Sequence, residues 1–193
     1  MTKQLGFYFE QKHCVGCSTC QIACKDKNNL EVGQLFRKVY EISGGDYIEK
    51  GTAIVPEIYA FWVSMSCNHC INPACVKNCP TGAMKKRSED GIVYIDQEQC
   101  IGCLRCVKSC PYDSPQYNPA TKKVGKCNFC MDLLSIGKQP VCVTSCPLRA
   151  LNYGELDLLQ QKYGTVNETK GIPRADITEP ALVIAPHNNA INR

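Results

Sequence analysis

The chain has 193 residues, a formal net charge of +4 and 16 cysteines, with one tryptophan and five phenylalanines. That length allows one ordinary domain or two small ones, and so few aromatics exclude a large aromatic core. Cysteine at this density would mark a disulfide scaffold in a small secreted chain, but the opening stretch MTKQLGFYFE has no long apolar run after its charge, so no secretory signal is expected there.

Taken in chain order, the first element is a strand-like run, Phe7 to Glu10, leading into Cys14, Cys17, Cys20 and Cys24. Gly16 sits inside that loop, where glycine lets the backbone pass close to a bulky group and take positive φ. Gln21–Lys27 reads as a helical turn ending at Asn28 and Asn29, which tolerate left-handed geometry. The longest apolar stretch, Ala53 to Met65, is broken by Pro56 and Glu57 and is too short for a membrane helix. A second cysteine group follows: Cys67, Cys70, Cys75 and Cys79. Glu89-Asp90-Gly91-Ile92 is the expected hairpin before the third group, Cys100, Cys103, Cys106 and Cys110. Cys127, Cys130, Cys142 and Cys146 complete the set. Beyond them, Glu155–Tyr163 is expected to form a short amphipathic helix punctuated by Gly154 and Gly164. Pro-interrupted Ile172–Pro186 is expected to be extended and to wrap a partner, with a loosely ordered surface tail as the alternative.

The chain repeats itself in two interleaved ways. Phe7-Tyr-Phe-Glu-Gln-Lys-His-Cys14-Val-Gly-Cys17 aligns with Val93-Tyr-Ile-Asp-Gln-Glu-Gln-Cys100-Ile-Gly-Cys103, which places Gly16 and Gly102 in the same slot. Pro73-Ala-Cys75-Val-Lys-Asn-Cys79-Pro80 aligns with Pro140-Val-Cys142-Val-Thr-Ser-Cys146-Pro147, each preceded by a Cys-Asn-aromatic-Cys step.

Four thiolates are what one [4Fe–4S] cubane needs, and the Cys-x2-Cys-x2-Cys-x3-Cys spacing of groups one and three is that of bacterial ferredoxins. Cys79, Cys110 and Cys146 are each followed by proline, as in the final Cys-Pro of that run, whereas Cys24 is followed by Lys25. Two-cluster ferredoxins exchange their fourth cysteines. With groups two and three paired as neighbours, and groups one and four paired across them, the exchange gives four ligand sets. They are Cys14, Cys17, Cys20 and Cys146; Cys24, Cys127, Cys130 and Cys142; Cys67, Cys70, Cys75 and Cys110; and Cys79, Cys100, Cys103 and Cys106. The simpler alternative gives each group its own cluster. The expected fold is α+β and loop-rich, with one ferredoxin-like unit nested in another. Residues 57–111 form the inner unit, 1–56 and 112–154 the outer one, and 155–193 a C-terminal helix and tail for partner docking.

Structural zinc also takes four thiolates, but its sites draw two ligands from each of two knuckles, unlike the evenly spaced triplets here. His13 and His69 flank ligands, yet sixteen cysteines already fill four cubanes, so these histidines and His187 are expected beside the sites or on the surface. Arg105 and Lys108 lie among group-three ligands and either raise that cluster's potential or sit in solvent. The runs Lys85-Lys86-Arg87 and Lys122-Lys123 read as solvated loop charges. Oxidised cubanes with their thiolates carry about −2 each, so the loaded protein sits near −4 and its formal +4 is no nucleic-acid signal. No nucleophile–base constellation and no phosphate loop can be read, so a non-catalytic role is expected.

Cys14-Val-Gly-Cys17-Ser-Thr-Cys20, Ser66-Cys67-Asn-His-Cys70, Cys100-Ile-Gly-Cys103, Cys110-Pro-Tyr and Cys146-Pro-Leu-Arg-Ala-Leu151 carry a family resemblance, as do Tyr40–Asp46 and Pro173-Arg174-Ala175. With these residues the chain resembles the iron–sulfur (B) subunits of bacterial dimethyl sulfoxide reductases, within the four-cluster ferredoxin family of molybdopterin oxidoreductases. Polysulfide, thiosulfate, tetrathionate and formate enzymes carry similar subunits. In nitrate reductases one group-three cysteine is replaced and a [3Fe–4S] centre results, whereas all are present here, so four cubanes are implied. The resemblance implies an electron-transfer subunit between a quinol-oxidising membrane anchor, reached from the Cys79 set, and a molybdopterin catalytic subunit, reached from the Cys14 set. It implies peripheral membrane association through those partners. The periplasmic face follows from co-export on the partner's twin-arginine signal, with the cytoplasmic face as the alternative.

Overall fold

A computed structural model describes residues 3–191; the first two residues of MTKQLGFYFE and the last two of the expected tail lie outside the described residues. Among the described residues, eleven strands, six α-helices and two 3-10 turns follow one another in short pieces. The first half holds β1 (Leu5–Glu10), α1 (Thr19–Lys27), β2 (Lys38–Gly44), β3 (Tyr47–Lys50), β4 (Ala53–Pro56), β5 (Tyr59–Met65), α2 (Ala74–Lys77), β6 (Met84–Lys86) and β7 (Val93–Ile95). The second half holds α3 (Arg105–Ser109), β8 (Gln116–Asn118), β9 (Lys123–Gly125), α4 (Met131–Leu134), α5 (Val141–Thr144), β10 (Leu151–Glu155), α6 (Leu156–Tyr163) and β11 (Leu182–Ala185).

At the centre lies a three-stranded sheet in the order β10-β1-β11. Strand β1 is buried from Leu5 to Phe9 because both its faces are covered, and only the closing Glu10 is charged. Phe7 and Phe9 face the main core with Phe61, Val63 and Phe129, and Phe7 stacks on Phe129 at 4.2 Å between ring centroids. Tyr8 faces the other side, where Leu156 and Leu159 of α6 pack with Val183. That contact explains the amphipathic spacing of α6, which ends at Gly164 with φ 89°.

The internal repeat reappears in the hydrogen-bond register. Strand β10 follows group four and pairs antiparallel with β1, which precedes group one, placing Leu151 opposite Phe9. Strand β6 follows group two and pairs antiparallel with β7, which precedes group three, placing Met84 opposite Ile95. The next bond is also shared: Glu10 N–H donates to Ala150 O and Asp96 N–H to Ala83 O, each at 2.8 Å. Helix α1 packs on α5, and α2 on α3. The expected hairpin is present, with Gly91 at φ 71° between β6 and β7.

Two expectations change. Residues 172–186 are partly extended, but β11 runs parallel to β1 in this chain's own sheet, with Leu182, Val183 and Ile184 buried. The apolar run Ala181–Ala185 can cover the free edge of β1, and that burial outweighs its Pro-flanked context. The basic runs are only partly loop charges: Arg87 and the exposed Lys122 lie outside the strands, but their neighbours do not. Lys85 and Lys86 lie in β6, where Lys85 pairs with Asp96 at 2.9 Å and Lys86 Nζ donates to the carbonyls of Cys70 and Ile71 at 3.0 Å. Lys123 lies in β9.

Candidate metal centres

The cysteine loops of groups one and three take the same path. Gly16 and Gly102 have φ +69° and +68°; a Cβ at Gly16 would meet the Trp62 ring at 2.2 Å, and one at Gly102 would meet the Lys122 carbonyl at 2.2 Å. Ser18 and Leu104, which precede α1 and α3, are also left-handed, at φ 58° and 64°. The other two groups share a different device. The amides of His69 and Phe129, both at positive φ, donate to Cys67 Sγ and Cys127 Sγ at 3.5 Å and 3.4 Å. Amide-to-sulfur bonds of this kind favour the thiolate over the thiol.

Cys14, Cys17, Cys20 and Cys146 line one cavity, walled by Phe9, Val39, Pro147 and Leu151, with His13 at its edge. Cys79, Cys100, Cys103 and Cys106 line another, walled by Met84, Ile95, Leu104 and Val124. In each, three cysteines come from one Cys-x2-Cys-x2-Cys run and the fourth from a different group. The other eight fall into two neighbourhoods by the charges they would feel. Cys24 responds to Cys142 and Cys130, and Cys127 to Cys24 and Cys142. Cys75 responds to Cys67, Cys110 and Cys70, and Cys70 to Cys67 and Cys110. The neighbourhoods also lie within electrostatic reach of one another: Cys20 of Cys24 and Cys142, and Cys127 of Cys67.

Burial pushes the Cys24, Cys70 and Cys75 thiols up to about 12 and Cys106 up to about 11. Cys17 moves the other way, lowered by the Thr19 hydroxyl and amide. At Cys79 burial works upward but is outweighed by the Met84 amide and Thr81. Thiols buried this way need a cation to become thiolates, which is the chemistry of a metal ligand set.

All sixteen cysteines are free of disulfides. Among the described residues no three His, Cys, Asp or Glu side chains converge closely enough for a single metal ion. One zinc ion would draw its sulfurs to about 3.8 Å of one another at the usual bond length of about 2.3 Å. A cubane spreads its four thiolates over four different irons, so thiols ringing a cavity suit it and not a mononuclear ion. Cluster-type groups therefore fit the residues present.

Several side chains around the cysteines were not singled out by the sequence. Arg37 is 2% exposed; its guanidinium donates to Ser64 O and Oγ at 3.1 Å and to Ser66 Oγ at 2.9 Å. Among the described residues its Nε has no partner. Lys126 is buried, bonded to the carbonyls of Val93 and Cys127. Thr178, from the tail, donates to Cys70 Sγ at 3.2 Å. His69 is fully buried, whereas His187 stacks on Phe61 at 5.5 Å. Arg105 and Lys108 are exposed on α3, so solvent rather than a cluster surrounds them. No sequence signal marks Arg37 or Lys126, since isolated basic residues usually lie at the surface.

Comparison with known proteins agrees with this chemistry. Residues 58–156 match the 4Fe-4S dicluster domain family. The probable anaerobic dimethyl sulfoxide reductase chain YnfG of Escherichia coli (strain K12) is 47% identical over 190 residues, 98% of this protein and 92% of the relative. This chain is a member of the iron–sulfur subunit family of the anaerobic dimethyl sulfoxide reductases. The B chain of the anaerobic dimethyl sulfoxide reductase of Haemophilus influenzae is 44% identical, covering 97% of this protein and 92% of the relative. The B chain of the polysulfide reductase of Wolinella succinogenes is 35% identical, covering 97% and 96%. As a member of this iron–sulfur subunit family, the protein transfers electrons and uses 4Fe-4S chemistry. Among the described residues of this B-type subunit, no helix is long and apolar enough to cross a membrane.

Proposed function

We propose that the chain carries four [4Fe–4S] clusters and is the non-catalytic electron-transfer subunit between a quinol-oxidising membrane anchor and a molybdopterin catalytic subunit of dimethyl sulfoxide reductase type. The ligand sets are Cys14, Cys17, Cys20 and Cys146; Cys24, Cys127, Cys130 and Cys142; Cys67, Cys70, Cys75 and Cys110; and Cys79, Cys100, Cys103 and Cys106. One observation carries the exchange of ligands. Cys146 of group four lines the same cavity as Cys14, Cys17 and Cys20, whereas Cys24 of group one does not line it and lies within electrostatic reach of Cys142 and Cys130 as well as of Cys20. The matching registers of β10 on β1 and β6 on β7 support two nested units, 1–56 with 112–154 around 57–111.

When bound, each cluster supplies a one-electron carrier. The residues of the protein do the rest. Phe9, Val39 and Leu151 give the Cys14 set an apolar wall, and Met84, Ile95 and Val124 do so at the Cys79 set. The neighbourhoods form a series, because Cys20 and Cys142 link the first two sets and Cys127 and Cys67 the second and third. Cys75 and Cys106 then share one apolar cluster between the third and fourth. The exposed ends of the series are the Cys17 and Cys103 loops, which suit docking to the catalytic subunit and the anchor respectively. In the C-terminal region, residues 155–191, the exposed side, with Leu158 and Ile177, remains for a partner. Association with the membrane is peripheral, through the anchor, on the periplasmic face in this reading. The relatives named for polysulfide and thiosulfate reductases favour a second form of the same role, in which the catalytic subunit alone sets the acceptor.

The test is anaerobic purification with iron and acid-labile sulfide analysis of the full-length protein. About sixteen irons per molecule are expected, four for each [4Fe–4S] centre. A colourless protein containing zinc, or one holding half that iron, would overturn the reading.

A further inference from the structure

Two buried cations stand where neighbouring cysteine sets meet. Arg37 is 2% exposed, and among the described residues no carboxylate pairs with it. Its neighbours are serine oxygens, one carbonyl and the ring of Phe7, 4.9 Å away, and among the described residues its Nε is left without a partner. An unpaired guanidinium in such a place is expensive unless an anion compensates it. The charges that work on it are the thiolates of Cys142, Cys20, Cys127 and Cys24, which offset the penalty of burial. They belong to two different sets. Ser64 completes one link: its Oγ accepts from Arg37 at 3.1 Å and lies 3.4 Å from Cys20 Sγ. Since that oxygen already accepts, its own proton is free to turn toward the Cys20 thiolate.

Lys126 occupies the next junction. It is 6% exposed and without a carboxylate partner among the described residues, and it is held by the carbonyls of Val93 and Cys127. Its charge reaches Cys127 of the Cys24 set and Cys75 of the Cys67 set.

Resting on the four-cluster reading, we propose that Arg37 and Lys126 are the internal counter-ions of the relay, Arg37 shared by the Cys14 and Cys24 centres and Lys126 by the Cys24 and Cys67 centres. They act as positioning charges, reaching the centres through Ser64 and the Cys127 carbonyl and not through any substrate. Reduction adds negative charge to a cluster, so a buried cation beside it raises its potential. In a poorly screened interior that influence is strong, whereas exposed Arg105 and Lys108 are screened by water. The Cys24 centre, flanked by both cations, gains most, and the Cys79 centre gains neither.

The experiment is a redox titration followed by electron paramagnetic resonance on the full-length holoprotein, assembled as it is in its complex, with iron analysis of every sample. Arg37→Gln is expected to move two centres to lower potential and Lys126→Gln two, the two pairs sharing one centre. Arg37→Lys and Lys126→Arg should restore most of the shift, and Arg105→Gln should move none. If Arg37→Gln instead loses iron from two centres and Arg37→Lys recovers it, the counter-ion role is equally upheld. Unchanged potentials, an equal shift of all four centres, pairs that share no centre, or an Arg37→Lys protein as impaired as Arg37→Gln would overturn the proposal. A wild-type protein without four centres would instead reject the four-cluster reading on which it rests.

Discussion

His69 Nε2 lies 3.7 Å from Cys127 Sγ, so the loop of cysteine group two is tied to the first cysteine of group four. The other ring nitrogen settles the tautomer: Nδ1 accepts the Val93 amide at 3.0 Å, so the proton resides on Nε2 and points to sulfur. Burial, helped by the Lys126 charge, holds the ring neutral, well below the usual histidine range. Phe129 holds the equivalent place in the repeated step, which makes His69→Phe a shape the fold already uses. That substitution leaves the Val93 amide without its acceptor, a loss of about 1–3 kcal/mol. It should lower the denaturant midpoint of the holoprotein, and remove one N–H···S bond from the Cys24 centre, whose potential falls in the same titration. An unchanged midpoint would mean the contact is not formed.

Gly16→Ala and Gly102→Ala should each cost one centre. Both positions are left-handed, at φ +69° and +68°, and a Cβ at either has a neighbour at 2.2 Å. At Gly102 that neighbour is backbone, the Lys122 carbonyl, which cannot rotate away, so Gly102→Ala is the harsher change. Iron per molecule is expected to fall by about four atoms in each variant. Full iron in Gly102→Ala would contradict the close approach.

The tail stabilises the cluster-bearing body directly. Ile184 is 1% exposed beside Phe9 in the β1–β11 pair, and Ile184→Ala should cost about 2–5 kcal/mol. Bleaching of the cluster absorbance in guanidinium reports it as a lower midpoint. Thr178→Val should leave that midpoint almost unchanged and lower only the potential of the centre that includes Cys70, because it removes the 3.2 Å hydroxyl-to-sulfur bond. A tail that merely decorated the surface would show neither effect.

Removing the clusters should abolish cooperative folding. The cysteines form part of both principal cores, with Cys20, Cys142 and Cys146 in one and Cys75 and Cys106 in another. Without iron, their mutually repelling or protonated sulfurs leave the space between distant segments unfilled. Calorimetry of chelator-treated protein is expected to show no cooperative heat absorption; a sharp transition there would refute this.

Much of the local architecture was legible in the sequence. The slot shared by Gly16 and Gly102 anticipated two matching left-handed turns, and the alignment of Phe7–Glu10 with Val93–Asp96 anticipated two matching strands, though not their partners. The helix ending at Asn28 and the one ending at Gly164 were equally readable, since capping is a local preference. The destination of Leu182–Ala185 was not. An apolar run of that length, set among prolines, offers the same pattern to a partner's edge as to its own.

The cysteine spacing and the two interleaved repeats were enough to fix the kind of cofactor and the loops that approach it, because ligand loops obey short-range bond geometry. Which cations are buried was decided only in three dimensions. Arg37 follows Phe36 and precedes Lys38 with nothing to distinguish it from a surface charge. Its burial follows from the meeting of Cys20, Cys24, Cys127 and Cys142, brought from opposite ends of the molecule's sequence. The field at one residue sums over every charge packed around it, whatever the sequence separation, and only the tertiary structure assembles that sum.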